Sequence, residues 1–197
     1  MPRPLRINKR DSYYHVFNRG ISRKTICFEP HHFQAFLMLL EHITVRYKIT
    51  IHAYCMLRNH YHILMRTHEA NLSEAMWYFG MHFARLVNRD INGDGPLFRD
   101  RFRSILVDQE RYFLQLSRYI HLNPVQAGLV TSPETYPWSS CQYFEEKNKA
   151  KAPPFLQIDA TLSRFRMAEE YLEFLRLGNS PSISALYAKK KLPTKIS

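Results

Sequence analysis

Two histidines separated by one residue, His60 and His62, stand in the run Asn59-His60-Tyr61-His62-Ile63-Leu64-Met65. That run reads as a β-strand, and residues i and i+2 of a strand share a face about 6.6 Å apart. Two imidazoles at that separation can converge on one metal ion. A tyrosine and an asparagine, Tyr119 and Asn123, follow in Arg118-Tyr119-Ile120-His121-Leu122-Asn123-Pro124. On a helix, positions i and i+4 lie about 6 Å apart along the axis and about 40° apart around it, so both side chains reach one site. The Asn123 carbonyl oxygen is a candidate third ligand. A hard divalent ion such as Mg²⁺ or Mn²⁺ accepts imidazole and oxygen and keeps positions open for phosphate. Such an ion polarises a phosphodiester, and Tyr119 is then the candidate nucleophile. A free phenol titrates near pH 10 and is a weak nucleophile until activated.

The same residues have plainer readings. The histidines can be hydrogen-bonded to backbone, Tyr119 can be a core aromatic, and Asn123 can cap a helix before Pro124. Tyr112 competes with Tyr119: it lies on nearly the same helical face, about 10 Å away, with Leu116 at its i+4 position. Tyr61 points to the opposite strand face, and His121 lies about 200° round the helix from Tyr119, so neither shares the site.

The elements that must position these residues follow from periodicity. Ser12 to Asn18 is aromatic and β-branched, a strand ending at Gly20. Pro30 opens a helix whose apolar residues Phe33, Phe36, Leu37, Leu40 and Ile43 recur at helical spacing to about Tyr47. Ile49 to Leu57 is a strand, Arg58-Asn59 a tight link, and His60 to Arg66 the strand with the histidine pair. A second helix spans Leu72 to Val87. After the Asn-Gly-Asp-Gly-Pro loop, Leu97 to Val107 reads as a fourth strand and Gln109 to Leu122 as a third helix stopped by Pro124. Residues 124–145 are irregular, a helix follows near Arg166–Leu177, and a last short one covers Ser182–Lys190. This order predicts an α+β fold: a ferredoxin-like, RRM-like split βαβ antiparallel sheet with helices on one face, plus a helical C-terminal tail. The opposite face is expected to be free for a ligand. The expected divisions are a basic arm at 1–12, a catalytic domain at 13–145, and a linker with a basic helical tail at 146–197.

The 197-residue chain has 28 Lys+Arg against 17 Asp+Glu, a net charge of +11, and 14% aromatic residues. That balance favours a polyanionic partner, nucleic acid above all. Three widely spaced cysteines without a CxxC argue against a zinc finger or a disulfide framework, and for reduced thiols in a cytoplasmic protein. No apolar run approaches the ~20 residues of a membrane span, and the basic N-terminus has no apolar stretch behind it, so it does not read as a signal peptide.

Five stretches together resemble the single-tyrosine HUH transposases, and within them the REP-associated tyrosine transposases of bacteria. They are Tyr14 to Gly20 (YHVFNRG), Ala53 to His62 (AYCMLRNHYH), Leu97 to Ser104 (LFRDRFRS), Arg118 to Val130 (RYIHLNPVQAGLV) and Tyr136 to Ser140 (YPWSS). They fall in the region 10–145. The resemblance implies that His60 and His62 bind a divalent metal, that Tyr119 forms a 5′-phosphotyrosine link and releases a 3′-hydroxyl, and that Asn123 stands where relatives place a polar third ligand, often glutamine. It implies single-stranded DNA with a hairpin, in palindromic repeats, as partner, a nucleoid-associated location, and a monomer rather than a homodimer. Arg58 departs from the proline that many relatives carry there.

For DNA contact the candidates are Arg19 and Arg99, Arg101 and Arg103, the last three alternating along one predicted strand face with Phe98 and Phe102 on the other. The arm (Arg3, Arg6, Lys9, Arg10) and the tail (Lys189, Lys190, Lys191, Lys195) are further candidates. No GxxxxGK[ST] loop is present, so no ATP is expected to be needed. The competing reading is a non-catalytic module that holds hairpin DNA or RNA on the same sheet. A third is a plasmid-type initiator nickase, which would bring a helicase or a second tyrosine.

Overall fold

The computed structural model describes residues 8–107 and 110–177. Four strands, β1 (Ser12–Arg19), β2 (Ile49–Met56), β3 (His60–Thr67) and β4 (Arg103–Val107), form an antiparallel sheet in the order β2-β3-β1-β4. Helix α1 (Pro30–Tyr47) joins β1 to β2, and α2 (Leu72–Asp90) joins β3 to β4. This is the ferredoxin-like βαββαβ arrangement expected from the sequence. The start of α1 is fixed by a capping box, in which the Glu29 side chain accepts from the His32 N–H and His32 Nδ1 accepts from the Glu29 N–H, with Pro30 as first helical residue.

One sheet face carries Tyr14, Val16, Tyr54, Tyr61, Ile63 and Met65 against Phe33, Phe36 and Leu40 of α1 and Phe79, Phe83 and Val87 of α2. Edge-to-face contacts such as Phe36–Phe79, 5.0 Å between centroids, join the two helices over the sheet.

The expectation of a free opposite face is corrected. Helix α3 (Glu110–Gln126) covers part of it, burying Phe113, Leu116 and Ile120 against Ala53, Cys55, Leu64 and Val107. A β-bulge at His52 makes this possible: Ile51 pairs with Met65 but Ala53 with Leu64, so the side chains beyond the bulge change face and turn Ala53 and Cys55 toward α3.

Two other expectations fail for local reasons. The fourth strand starts at Arg103, not at Leu97. Phe17 pairs with Arg103, but the next bridge is Gly20 with Phe98, so the later chain holds two extra residues that leave the ladder. There the Asn18 amide donates to the Asp100 carbonyl. Pro124 does not stop α3, which runs through it to Gln126. The stop is a Schellman motif: Leu129 N–H bonds the Pro124 carbonyl, Gly128 N–H bonds that of Val125, and Gly128 has φ +69°.

The segment after α3 lies along the β2 edge, where Ser139 bridges Cys55 and the Tyr136 hydroxyl donates to the Met56 carbonyl. Two short helices, α4 (Glu146–Lys149) and α5 (Asp159–Leu162), lead to α6 (Ala168–Arg176), which packs on α3. The expected helix at Ser182–Lys190 lies outside the described residues. Cys27, Cys55 and Cys141 are buried free thiols. Among the described residues no helix is long and apolar enough to cross a membrane.

Candidate active site

His60 and His62 sit at the start of β3 and face the α3 side, their rings 5.2 Å apart and nearly perpendicular. Opposite them α3 presents Tyr119 and Asn123. The Tyr119 ring meets His62 edge-on at 5.3 Å, and Asn123 Oδ1 lies 3.3 Å from His60 Nε2. The structure therefore brings together the four residues singled out for chemistry. Tyr61 faces the core, in contact with Phe36 and Phe79. His121 is turned away and fully buried, bonded to Tyr171 and Ser140.

The proton inventory at His60 tests whether the site fits a cation. Its Nδ1 lies 2.7 Å from Asn59 Oδ1, and its Nε2 faces Asn123 Oδ1. Asn123 is held in that orientation because its Nδ2 donates to the Tyr119 carbonyl at 3.0 Å; Asn59 likewise donates its Nδ2 to the Arg23 carbonyl. Both ring nitrogens thus face acceptor oxygens. Burial lowers the His60 pKa below 6.5, opposed by the Asn123 contact, and a neutral imidazole has one proton to give. With that proton in the shorter bond, Nε2 and Oδ1 point lone pairs at each other. A cation between them removes the conflict, and ligand atoms in adjacent octahedral positions are themselves about 3.0 Å apart. His62 is held well below its ordinary pKa by burial and by its histidine neighbours, so it too is a neutral ligand. A donor set of two imidazoles and an amide oxygen fits Mn²⁺, and Mg²⁺ with water completing the shell.

A second group, His31, His32 and Asp90, joins the start of α1 to the end of α2 and is the sole His/Cys/Asp/Glu trio with converging ligand atoms among the described residues. It fits a metal less well. His32 Nδ1 accepts from the Phe28 and Glu29 N–H groups, so its Nε2 keeps the proton and aims it at Asp90.

Burial also raises the Tyr119 pKa above 10, with Asn123 opposing it. The phenol is neutral at pH 7. Tyr112 lies among the partly buried residues of the core under α3.

The histidines open into a cleft of about 480 Å³ whose rim carries Arg19, Arg23, Arg99, Arg101 and Arg103. The four arginines expected from the sequence converge there, but Arg99 and Arg101 do so from the looped-out segment, not from a strand face. Phe98 and Phe102 pack inward, as expected. Arg23 was missed: it lies in a short 3₁₀ turn after Gly20, with φ +61°, where no periodicity marks it. A Cβ on Gly20 would lie 2.0 Å from the Lys24 carbonyl, so this turn needs glycine. His15 was missed as well. Its Nε2 lies 2.9 Å from His62 Nδ1, and only the strand register reveals the meeting. Of the basic arm, Arg10 pairs with Glu69 at the far end of the sheet, about 23 Å along β1 from Arg19. Arg3, Arg6, Lys189, Lys190, Lys191 and Lys195 lie outside the described residues.

No curated protein matches the chain in sequence. Among solved structures it is similar to a REP-associated tyrosine transposase bound to a REP hairpin, with TM-score 0.61 and 16% identity over 80% of this chain and 91% of that one. A candidate transposase from Deinococcus radiodurans R1 is a more distant likeness, with TM-score 0.42 and 14% identity over 60% of this chain and 95% of that one. The first likeness agrees with the fold described above. Residues 8–123 match the family model described as Transposase IS200 like. That stretch is more than half of the chain, runs from the first described residue to Asn123, and takes in both histidines and the tyrosine, which makes this protein a member of the IS200-like transposases.

Proposed function

We propose that the protein nicks and rejoins single-stranded DNA at hairpins in palindromic repeats, through a 5′-phosphotyrosine intermediate on Tyr119 and with a divalent metal, Mg²⁺ or Mn²⁺, held by His60, His62 and Asn123. The observation that carries this reading is the pair of facing acceptors, His60 Nε2 and Asn123 Oδ1, one helical turn from a phenol stacked edge-on against His62. The bound ion would supply charge that polarises the scissile phosphate and stabilises its transition state. The rim arginines hold the flanking backbone through charge-assisted bonds. Attack by the Tyr119 oxygen forms a P–O bond as the P–O3′ bond breaks. The phenolic proton is lost and the departing 3′ oxygen gains one. Rejoining is the same exchange with a 3′-hydroxyl as nucleophile, so bond energy is conserved and no ATP is consumed. In this reading residues 13–145 supply the chemistry, helix α6 braces α3 from behind, and the protein acts as a monomer in the bacterial cytoplasm, on the nucleoid. The hairpin as partner is supported by the solved relative that binds a REP hairpin.

The test is incubation of the full chain with a labelled single-stranded hairpin and Mn²⁺, then a denaturing gel and peptide mapping of any protein–DNA band. A covalent band on the peptide containing Tyr119 is expected. Tight hairpin binding without any band under these conditions would favour the non-catalytic module.

A further inference from the structure

His15 and His62 are diagonal neighbours on adjacent antiparallel strands, since His15 pairs with Leu64 and His62 with Phe17. Both are buried, and His15 Nε2 and His62 Nδ1 lie 2.9 Å apart. Phe17 stacks on His15 at 4.7 Å and Tyr119 meets it edge-on at 6.2 Å, so the ring is hemmed in by packing.

A contact of 2.9 Å between two ring nitrogens holds one proton, and its owner decides what His62 can do. If His15 carries it, His62 must hold its own proton on Nε2 and cannot use that nitrogen as a ligand. If His62 carries it on Nδ1, its Nε2 keeps a lone pair. We propose that His15 is a positioning residue: by accepting the Nδ1 proton of His62 it selects the tautomer that can bind metal, and so sets the cation affinity of the His60–His62–Asn123 site. This inference rests on the metal reading above. Ligand histidines commonly give their second N–H to a carboxylate or carbonyl. An imidazole in that role orients the ring without adding negative charge, which leaves the cation's charge for a phosphate.

The experiment compares the full-length protein with His15→Phe, which removes the acceptor, and His15→Gln, which keeps one. Mn²⁺ affinity is measured without DNA, and histidine tautomers are read by long-range ¹H–¹⁵N NMR. In the unaltered metal-free chain His62 is expected as the Nδ1–H tautomer. His15→Phe is expected to weaken Mn²⁺ binding about 10- to 100-fold and to shift His62 toward Nε2–H, while His15→Gln recovers most of the affinity. A His62 found as Nε2–H in the unaltered chain would overturn the proposal, as would folded His15→Phe with affinity within about twofold of the original. If His15→Phe does not fold, the unaltered tautomer and His15→Gln decide. Mn²⁺ binding that is abolished by His60→Ala but indifferent to His15 overturns this inference and leaves the metal site standing. Absence of Mn²⁺ binding by the unaltered chain overturns both.

Discussion

The two faces of the sheet are built from the same strands and differ in almost everything else. The face under α1 and α2 is mainly apolar, with Phe36, Phe79 and Phe83 fully buried at its centre. The face under α3 is divided. Toward the far end Phe113, Leu116 and Ile120 close it with ordinary packing, while toward the end of β1 it holds His15, His60, His62, Tyr119 and Asn123. Packing on the first face and half of the second holds these polar groups in contacts that shift their pKa values and leave acceptors opposed. Stability is concentrated on one side and the proposed chemistry on the other, so substitutions should separate the two.

The largest separation is expected from Tyr119→Phe. Cleavage and adduct formation should fall by about 10³-fold or more, with hairpin affinity and thermal stability nearly unchanged; an adduct that persists would move the nucleophile, with Tyr112 next in line. Phe36→Ala should do the reverse, costing about 3–5 kcal/mol of stability in denaturant unfolding while cleavage per folded molecule survives. Comparable losses of activity in both variants, corrected for folding, would erase the distinction between the faces.

Acid gives a smaller effect. His52, at the bulge, is lowered from 6.5 to about 4, chiefly by burial. Between those values the unfolded chain binds a proton that the folded chain refuses. Its contribution is therefore complete above pH 6.5 and fades as pH falls toward 4, at up to about 1.4 kcal/mol per pH unit. The buried His15, His60, His62 and His121 are lowered as well and add slopes of the same sign, so unfolding midpoints at several pH values should fall more steeply than one group allows, and His52→Gln should remove only the His52 share. The smallest effect belongs to the cleft rim. Arg99→Ala, Arg101→Ala and Arg103→Ala should each weaken hairpin binding modestly and reduce the log–log salt slope by about 0.7; an unchanged slope would remove that arginine from the phosphate contacts.

Much of this was legible in the sequence. The bounds of α1 are visible because Pro30 opens it and the apolar spacing carries it to about Tyr47, where Lys48 in the left-handed conformation closes it in the structure. The histidine pair and the Tyr119–Asn123 pair are visible because each is local, set by the periods 2 and 3.6. What stayed hidden depends on partners far along the chain. The bulge at His52, which turns Ala53 and Cys55 toward α3, has no signature in Ile-Thr-Ile-His-Ala-Tyr. The fourth strand was read too long because Arg99-Asp100-Arg101 alternates like a strand, although Asn18 and Arg19 draw that segment into a loop. Pro124 was read as a terminator because a proline ordinarily breaks a helix, but the glycine four residues on supplies the actual stop.

Helix α6 is bound to α3 by more than apolar contact. Tyr171 bonds both Ser117 and His121, and the Arg118 guanidinium lies over Phe174 and donates to the Leu175 and Leu177 carbonyls. Ser117, Arg118 and His121 flank Tyr119 in the chain. Whatever grips α6 therefore has a lever on Tyr119: tension there would be felt at its ring, and loss of α6 would strand buried hydroxyl and imidazole groups directly behind it.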